Sequence, residues 1–588
     1  MKPHYFSAGI LALILCGPVA KAQEAESTRQ EAAKQSSFGQ YLPPVQYEET
    51  NTRSTYVQMR DGVRLAVRID RPMQDGKPVE TPLPVIWHHS LSISQRTADG
   101  AGDRISDYRK MSELTRYGYV VVQVARRGNG QSLGEMRGYH DRNETQDSFE
   151  MIGWLAKQPW SDGKIGLYGC SNTGDAAMQA LTLRPPALKA VWAGCFSWHK
   201  YDAFRRGGIY AQWGTGPSRT IEQDMALDPV EGDEGKTLLA KAARQHQNST
   251  PLFEMWKGLP YRDSYSDIVK SRFWGEGSVA NYAEAVRLSG IPVYIQGGWF
   301  DELRDQGINT WLNIPGARLI IGPWKHCDND DFALQQEMLR FYDFYLKGID
   351  TGLNRQQPIH YFTMNEVPGG TASDEGWHGA DNWPVSGISG DSLYFADTGL
   401  GAKADKNWSK TFKTDFSVQC PDAGSGSRVQ PCHVEGAGPA FATAPLKSAQ
   451  EVTGDPLVNL WVSVDGPDTN IFAYLEDVAP DGKVTVITEG RQKASLRKLD
   501  DAPWAMPAGV PWHRSYEDDR EDLTPGEPVL LSFAMMPTSW VFQPGHRIQV
   551  SITGADHRER VRDPQNPPII TILGGRQFDS QIVLPVRR

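Results

Sequence analysis

The chain has 588 residues, of which 39% are hydrophobic and 22% are charged. This composition is typical of a folded protein with room for two or three domains, and it argues against a largely disordered chain. The net charge of −10, with no long run of Lys and Arg, argues against a nucleic-acid partner.

The first 22 residues have the pattern of a secretory signal peptide. A weakly basic start is followed by an apolar run over residues 6–15 and by the Ala-x-Ala pattern that ends at Ala22. The apolar run is shorter than an ordinary membrane span. We therefore expect cleavage after Ala22, a periplasmic or secreted protein, and no membrane attachment after cleavage; an uncleaved anchor is the alternative. Residues 23–50 are predicted to form a flexible leader.

Five of the six cysteines follow the predicted signal peptide. Cys420 and Cys432 lie in a Gly-, Ser- and Asp-rich stretch, where we predict a disulfide. The sequence leaves open the pairing of the other three, which cannot all pair with one another: Cys170, Cys195 and Cys327. No Cys-x-x-Cys or His-Glu-x-x-His motif is present, so we predict neither a metal site nor a cofactor.

Short apolar runs alternate with helical patterns through the first half of the chain. Residues 56–60 and 63–67 alternate with period two across Asp61-Gly62, which predicts a β-hairpin. Bounded runs rich in Val and Ile predict buried strands at 84–88, 119–124, 164–169, 190–194, 291–296 and 317–321. Helical spacing appears between them at 143–156 and 173–183. Strands that alternate with helices predict a mostly parallel α/β sheet.

Two departures from this alternation predict the domain organisation. Residues 198–285 are largely helical or irregular and indicate an inserted cap. After a helical pattern at 337–346, short alternating runs separated by Gly, Pro and Asp indicate a β-sandwich. We therefore predict an α/β domain made of 51–197 and 286–352, a helical cap at 198–285, and a sandwich at 353–588.

The segment Gly169-Cys170-Ser171-Asn172-Thr173-Gly174 lies where a predicted strand gives way to a predicted helix. Glycines around a serine at such a turn permit the sharp backbone that lifts a nucleophilic hydroxyl clear of the sheet. The start of the helix also offers backbone N–H groups to a developing oxyanion. The same pattern alone often marks only a tight turn, so the assignment depends on partner residues.

A nucleophilic serine needs a histidine to take its proton and a carboxylate to orient that histidine. In α/β-hydrolases these follow in the order Ser, acid, His, each at the end of a strand. Asp301 and His326 each follow a predicted strand, in the required order. Asp305 is the rival acid, but it lies a full turn into a predicted helix. A helix N-cap for Asp301 and a surface loop for His326 are the alternative interpretations.

Three blocks of sequence resemble the catalytic blocks of one known family: residues 160–174, 297–301 and 322–326. The family contains cocaine esterase, α-amino-acid ester hydrolases, glutaryl-cephalosporin acylases and X-prolyl dipeptidyl-peptidases. Supporting stretches are 127–134, 340–348 and 475–482. The resemblance implies an α/β-hydrolase domain, a helical cap inserted before the acid, and a C-terminal jelly-roll sandwich.

The sequence departs from the family at the oxyanion hole. The nucleophile is usually followed by Tyr, but here by Asn172, whose backbone N–H can still donate. A second donor is usually a Tyr hydroxyl after the early strand, where this chain has Ser90-Leu91-Ser92-Ile93. Ser92 is our candidate for that donor, with His88 and His89 as alternatives. The two histidines could instead form part of a metal site, although packing at a strand end is the simpler interpretation.

We predict a serine hydrolase that cleaves an ester or amide bond of a small-molecule or peptide substrate through an acyl-enzyme, and that could form a homo-oligomer. An X-Pro dipeptidyl-peptidase, a β-lactam acylase or an α-amino-acid ester hydrolase is the alternative, and it would need a carboxylate for the substrate's α-amino group. Candidates are Asp202, Glu302 and Asp305. A catalytically inactive glycan- or polymer-binding protein is a third possibility, against which the intact triad argues.

Overall fold

The computed structural model describes residues 37–93, 111–211, 220–327, 334–366, 376–404, 406–420 and 431–588. The predicted signal peptide at 1–22 lies outside these ranges. Within them, no helix combines the length and the apolar character needed to cross a bilayer.

Residues 49–380 build one mixed sheet of eleven strands within the described residues. The strands are β1 (Glu49–Gln58), β2 (Arg64–Gln74), β3 (Lys77–Pro78), β4 (Leu83–Ser90), β5 (Val120–Ala125), β6 (Ser161–Cys170), β7 (Leu188–Gly194), β8 (Val293–Phe300), β9 (Arg318–Lys325), β10 (Ile359–Phe362) and β11 (Trp377–Ala380). Their order is β1-β2-β5-β4-β6-β7-β8-β9-β10-β11, with β3 beside β2. The strands from β5 to β10 run parallel, while β1, β2, β3 and β11 pair antiparallel. The predicted hairpin and parallel α/β sheet are thus confirmed.

The central strands are buried on both faces. On β6, Leu167 belongs to one apolar cluster and its neighbour Tyr168 to another, on opposite sides of the sheet. Val191 and Trp192 on β7 divide in the same way. Because helices cover both faces, these strands read as continuous apolar runs without alternation.

Helices connect and cover the strands. Those that contact the sheet are α1 (Arg142–Leu155), α2 (Asn172–Leu181), α9 (Arg304–Asn313) and α10 (Leu334–Lys347). The predicted cap contains α3 (Lys200–Phe204), α4 (Ile221–Met225), α5 (Thr237–His246), α6 (Leu252–Lys257) and α7 (Phe273–Glu276), and α8 (Ala283–Ser289) crosses its predicted end at residue 285. The cap has its own aromatic core, which includes Phe204, Trp256 and Trp274.

The described part of the predicted leader packs against the α/β domain, in contrast to the flexibility expected for residues 23–50. Tyr41 is fully buried and its hydroxyl donates to Asp343 at 2.7 Å. Phe38 stacks on His360 with ring centroids 3.9 Å apart. Burying these two aromatic rings offsets the cost of ordering a polar segment.

Residues 388–587 form two antiparallel sheets, as the predicted sandwich requires. One contains β12 (Ile388–Ala396), β13 (Gly399–Gly401), β14 (Trp408–Lys413), β16 (Gln450–Gly454), β17 (Leu457–Val464), β20 (Val529–Ala534), β21 (Thr538–Phe542), β23 (Ile569–Gly574) and β24 (Gln581–Arg587). The other contains β15 (Ala440–Ala442), β18 (Asn470–Val478), β19 (Val484–Lys493) and β22 (Arg547–Thr553). Strands β10 and β11, however, belong to the α/β sheet, which therefore continues past the predicted division after residue 352.

Candidate active site

The turn between β6 and α2 holds Ser171 in a backbone conformation that few residues adopt. Its φ is 60° and its ψ is −128°. The turn is fixed by Ser171 N–H, which donates to the Gly194 carbonyl at 2.9 Å, and by the Thr173 hydroxyl, which accepts from Cys170 N–H at 2.9 Å. A Cβ atom on Gly169 would lie 2.0 Å from the Thr173 carbonyl oxygen, so only glycine fits there. This strained turn presents the Ser171 hydroxyl at the C-terminal end of β6.

Two residues from neighbouring strand ends complete a hydrogen-bonded chain with Ser171. His326 follows β9, and its Nε2 lies 2.7 Å from Ser171 Oγ. Asp301 follows β8, is fully buried, and places Oδ1 3.1 Å from His326 Nδ1. The three side chains singled out in the sequence are therefore brought together in the order Ser, His, Asp. In this arrangement a proton can pass from the serine hydroxyl to the imidazole.

Burial by itself would raise the pKa of Asp301. The charge of His326 and the hydrogen bonds that Asp301 accepts from His326 and the Leu303 N–H outweigh burial and bring the pKa below its ordinary value. The thiol of Cys195 also lowers this pKa. Asp301 therefore carries the negative charge that an imidazolium partner needs.

Glu302 is a second buried carboxylate beside the histidine. Its Oε1 lies 3.6 Å from His326 Nδ1, and neither of its oxygens accepts a hydrogen bond within the described parts of the chain. Burial, opposed by the charge of His326 and assisted by that of Asp301, raises the pKa of Glu302 to about 7. The sequence singled out Glu302 only as a partner for a substrate amine. Its adjacency to Asp301 at a strand end was the available signal for contact with the imidazole.

The loop that carries Asp301 is tied to the sandwich by Arg304, which the sequence did not single out. Arg304 Nη1 donates to the carbonyls of Trp299 and Asp301, and Nη2 donates to Thr488 Oγ1 at 2.7 Å. Because Thr488 lies on β19, the acid loop is supported from a strand of the second domain.

Disulfides resolve the cysteine pairing that the sequence left open. Cys170 pairs with Cys327, and Cys195 remains a buried free thiol. The predicted pair of Cys420 and Cys432 is also bonded.

The two predicted oxyanion donors, Asn172 and Ser92, lie in different surroundings. Asn172 is the first residue of α2, so its N–H is one of the groups that lack an intrahelical acceptor. Its side-chain Oδ1 accepts from the buried guanidinium of Arg126 at 2.7 Å, a contact that sequence reasoning did not anticipate. The Ser92 hydroxyl instead donates to Gln131 Oε1 at 3.1 Å. This bond does not connect Ser92 with the nucleophile, and its role as second donor stays a prediction.

The two alternative donors are buried at the end of β4. His88 Nδ1 lies 3.2 Å from the Tyr168 carbonyl, and His89 Nδ1 lies 3.3 Å from Ser148 Oγ. Burial lowers the pKa of both rings, so both are neutral near pH 7. These contacts fit packing at a strand end.

Two of the three carboxylates considered for an α-amino group are held by arginines. Asp202 accepts two hydrogen bonds from Arg262, at 2.6 and 3.0 Å. Asp305, the rival acid, accepts two from Arg206, at 2.6 and 2.9 Å. Both negative charges are therefore compensated within the protein.

Two family models match most of the chain. Residues 61–328 match the family model of the X-Pro dipeptidyl-peptidase (S15 family), and residues 351–580 match that of the X-Pro dipeptidyl-peptidase C-terminal non-catalytic domain. A Mycobacterium bovis protein provisionally named a serine esterase is 30% identical, over 92% of this chain and 96% of its own length. The cocaine esterase of a Rhodococcus species is 25% identical, over 90% of this chain and 97% of its own length. A solved CocE/NonD family hydrolase from Staphylococcus aureus shares the fold, with a TM-score of 0.70 at 19% identity over 92% and 94% of the two chains.

Proposed function

Because the chain belongs to the X-Pro dipeptidyl-peptidase (S15) family and is a serine hydrolase of that family, we propose that Ser171, His326 and Asp301 are its catalytic triad. The proposal rests on the 2.7 Å separation of Ser171 Oγ and His326 Nε2 at a turn that only a strained backbone can form. A buried carboxylate on the far side of the imidazole supports it.

The reaction follows from this geometry. Ser171 Oγ attacks the substrate carbonyl carbon while His326 Nε2 takes the hydroxyl proton, and Asp301 stabilises the imidazolium that forms. The same proton then passes to the leaving group, which departs and leaves an acyl-enzyme on Ser171. A water molecule repeats the sequence and releases the acid. The Asn172 N–H stabilises the oxyanion in both halves.

The substrate class that the site favours is an ester or amide whose acyl group carries no α-ammonium. Such an ammonium needs an uncompensated carboxylate in the pocket. Asp202 and Asp305 are each paired with an arginine, and Glu302 lies beside the catalytic imidazole. An aminopeptidase-type or amino-acid ester activity is thus the second candidate, with Glu302 as its one remaining carboxylate among the three.

Replacing the nucleophile tests the triad. We expect Ser171→Ala to lower kcat for p-nitrophenyl butyrate on the order of 10⁶-fold, because the acyl-enzyme can no longer form. Ser417→Ala, which removes an exposed hydroxyl in the sandwich half, is the matched control and should keep wild-type kcat. Thermal unfolding of each variant verifies the fold. A Ser171→Ala enzyme with most of its activity would refute the assignment.

A matched substrate panel tests the substrate class. We expect kcat/KM for p-nitrophenyl butyrate to exceed that for the p-nitrophenyl ester of 2-aminobutyrate at least tenfold, because desolvating an unpaired ammonium is costly. Gly-Pro-p-nitroanilide serves as the dipeptidyl-peptidase substrate. Preference for either amine-bearing substrate would establish the second candidate instead.

We also propose that the protein is exported. The signal-like pattern at 1–22 supports this, and so do two disulfides, because disulfides persist mainly in oxidising compartments. The N-terminal peptide of protein from its native cells, identified by mass spectrometry, should begin at Gln23. Full-length protein in the cytoplasmic fraction would contradict export.

A further inference from the structure

The Cys170–Cys327 disulfide joins the two halves of the proposed proton-transfer pair. Cys170 immediately precedes Ser171, and Cys327 immediately follows His326. The linked Cα atoms lie 6.0 Å apart although 157 residues separate them in sequence. The covalent bond therefore closes a small ring that contains the Ser171–His326 hydrogen bond.

The disulfide links loops that follow two strands which are not neighbours in the sheet. The nucleophile follows β6 and the base follows β9, and the strands β7 and β8 lie between them. Neighbouring-strand hydrogen bonds therefore do not connect the two loops directly. The backbone is also strained in both loops, because Ser171 and Cys327 have φ values of 60° and 55°. Such conformations persist only where the surroundings enforce them.

We propose that the Cys170–Cys327 disulfide is a positioning element of the reaction, which holds His326 Nε2 within reach of Ser171 Oγ. The inference rests on the proposed function and adds to it a covalent constraint outside the triad. Proton transfer needs this heavy-atom contact in each half-reaction, so the constraint acts on the chemical step more than on substrate binding.

The third cysteine does not compete for the bond. The sulfur atoms of Cys170, Cys195 and Cys327 all lie within 4.8 Å of one another, so the geometry permits thiol–disulfide exchange. Burial, reinforced by the charge of Asp301, raises the pKa of the Cys195 thiol well above its ordinary value. The thiolate needed for exchange is therefore scarce, and Cys195 stays a thiol packed against the acid.

The double variant Cys170→Ala/Cys327→Ala tests the proposal. We expect kcat for p-nitrophenyl butyrate to fall about 10- to 100-fold, the scale that loss of alignment near 1 Å produces, with KM within about twofold of wild type. The matched control is Cys420→Ala/Cys432→Ala, which removes the other disulfide and should leave kcat unchanged. Assays run well below the midpoint of thermal unfolding, so that a merely structural role would move Tm and not kcat.

A folded double variant with wild-type kcat would overturn the proposal. If that variant does not fold, wild-type enzyme is treated with tris(2-carboxyethyl)phosphine, and the thiols are mapped by alkylation and mass spectrometry. Loss of kcat in step with reduction of Cys170–Cys327, reversed by oxidised glutathione, supports the proposal; full activity of the reduced enzyme overturns it. Ser171→Ala separates the two claims, because an active Ser171→Ala enzyme defeats the proposed function itself.

Discussion

A group of buried charges in the sandwich and a group beside the proposed triad differ in their hydrogen bonding. In the sandwich, the fully buried Arg558 donates to Glu489 Oε1 at 2.7 Å and to both oxygens of Asp556 at 2.8 and 2.7 Å. Tyr474 donates to the same aspartate. In the α/β domain, Asp301 Oδ2 and both oxygens of Glu302 accept no hydrogen bond within the described residues.

This difference distinguishes buried charges that stabilise the fold from buried charges that take part in catalysis. A buried ion pair whose donors and acceptors are all hydrogen-bonded stabilises a packing arrangement and offers no free donor or acceptor to a substrate. Asp301 and Glu302 keep oxygen atoms without a protein donor beside His326, the group that gains and loses a proton during the reaction. The same residue types therefore stabilise the fold around Arg558 and serve the proposed chemistry beside His326.

The largest expected effect distinguishes Asp301 from its rival. Asp301→Asn should lower kcat about 10⁴-fold, because the amide stabilises the wrong tautomer of His326 and no imidazolium charge. Asp305→Asn is the control, since that carboxylate is bound to Arg206. Steady-state kinetics with p-nitrophenyl butyrate measures both. Equal losses in the two variants would remove the distinction between them.

A stability measurement tests the sandwich network. Glu489→Gln should lower the free energy of unfolding by about 3 kcal/mol, because part of the Arg558 charge is left uncompensated. At a temperature where the variant is folded, kcat should match wild type. Asp397→Asn, which removes an exposed partner 3.9 Å from Lys410, should cost less than about 1 kcal/mol. Urea unfolding provides the numbers, and a Glu489→Gln protein as stable as the control would contradict the structural role.

Glu302 predicts a pH dependence of stability. Its pKa is about 7 in the folded protein against an ordinary value of 4.5, so the folded state holds a proton that the unfolded chain releases. Stability should therefore fall as pH rises through this window, by up to about 3 kcal/mol. Burial raises the pKa of Asp455 to about 7 as well, so Glu302→Gln should reduce the total fall without abolishing it. Glu527→Gln, at an exposed position, should leave the fall unchanged. Urea unfolding at pH 4.5 and pH 8 decides; the same fall in all three proteins would contradict the raised pKa.

Local sequence signals were enough to predict the strand-to-helix turn, the α/β sheet and the three residues that meet at its edge. Glycine spacing and strand ends are properties of short segments, so they can be read without the fold. The contacts of Arg206, Arg262 and Arg304 join segments far apart in sequence, and nothing local indicates them. The pairing of Cys170 with Cys327 likewise depends on the tertiary structure. Strand β10, with four residues, was too short to extend the predicted sheet.

The most direct test of the central claim is covalent labelling of the nucleophile. Native enzyme is treated with a fluorophosphonate, digested, and mapped by mass spectrometry. We expect a single adduct, on Ser171, whose rate of formation falls steeply in His326→Ala. An active enzyme that carries the adduct on another residue, or none at Ser171, would contradict it.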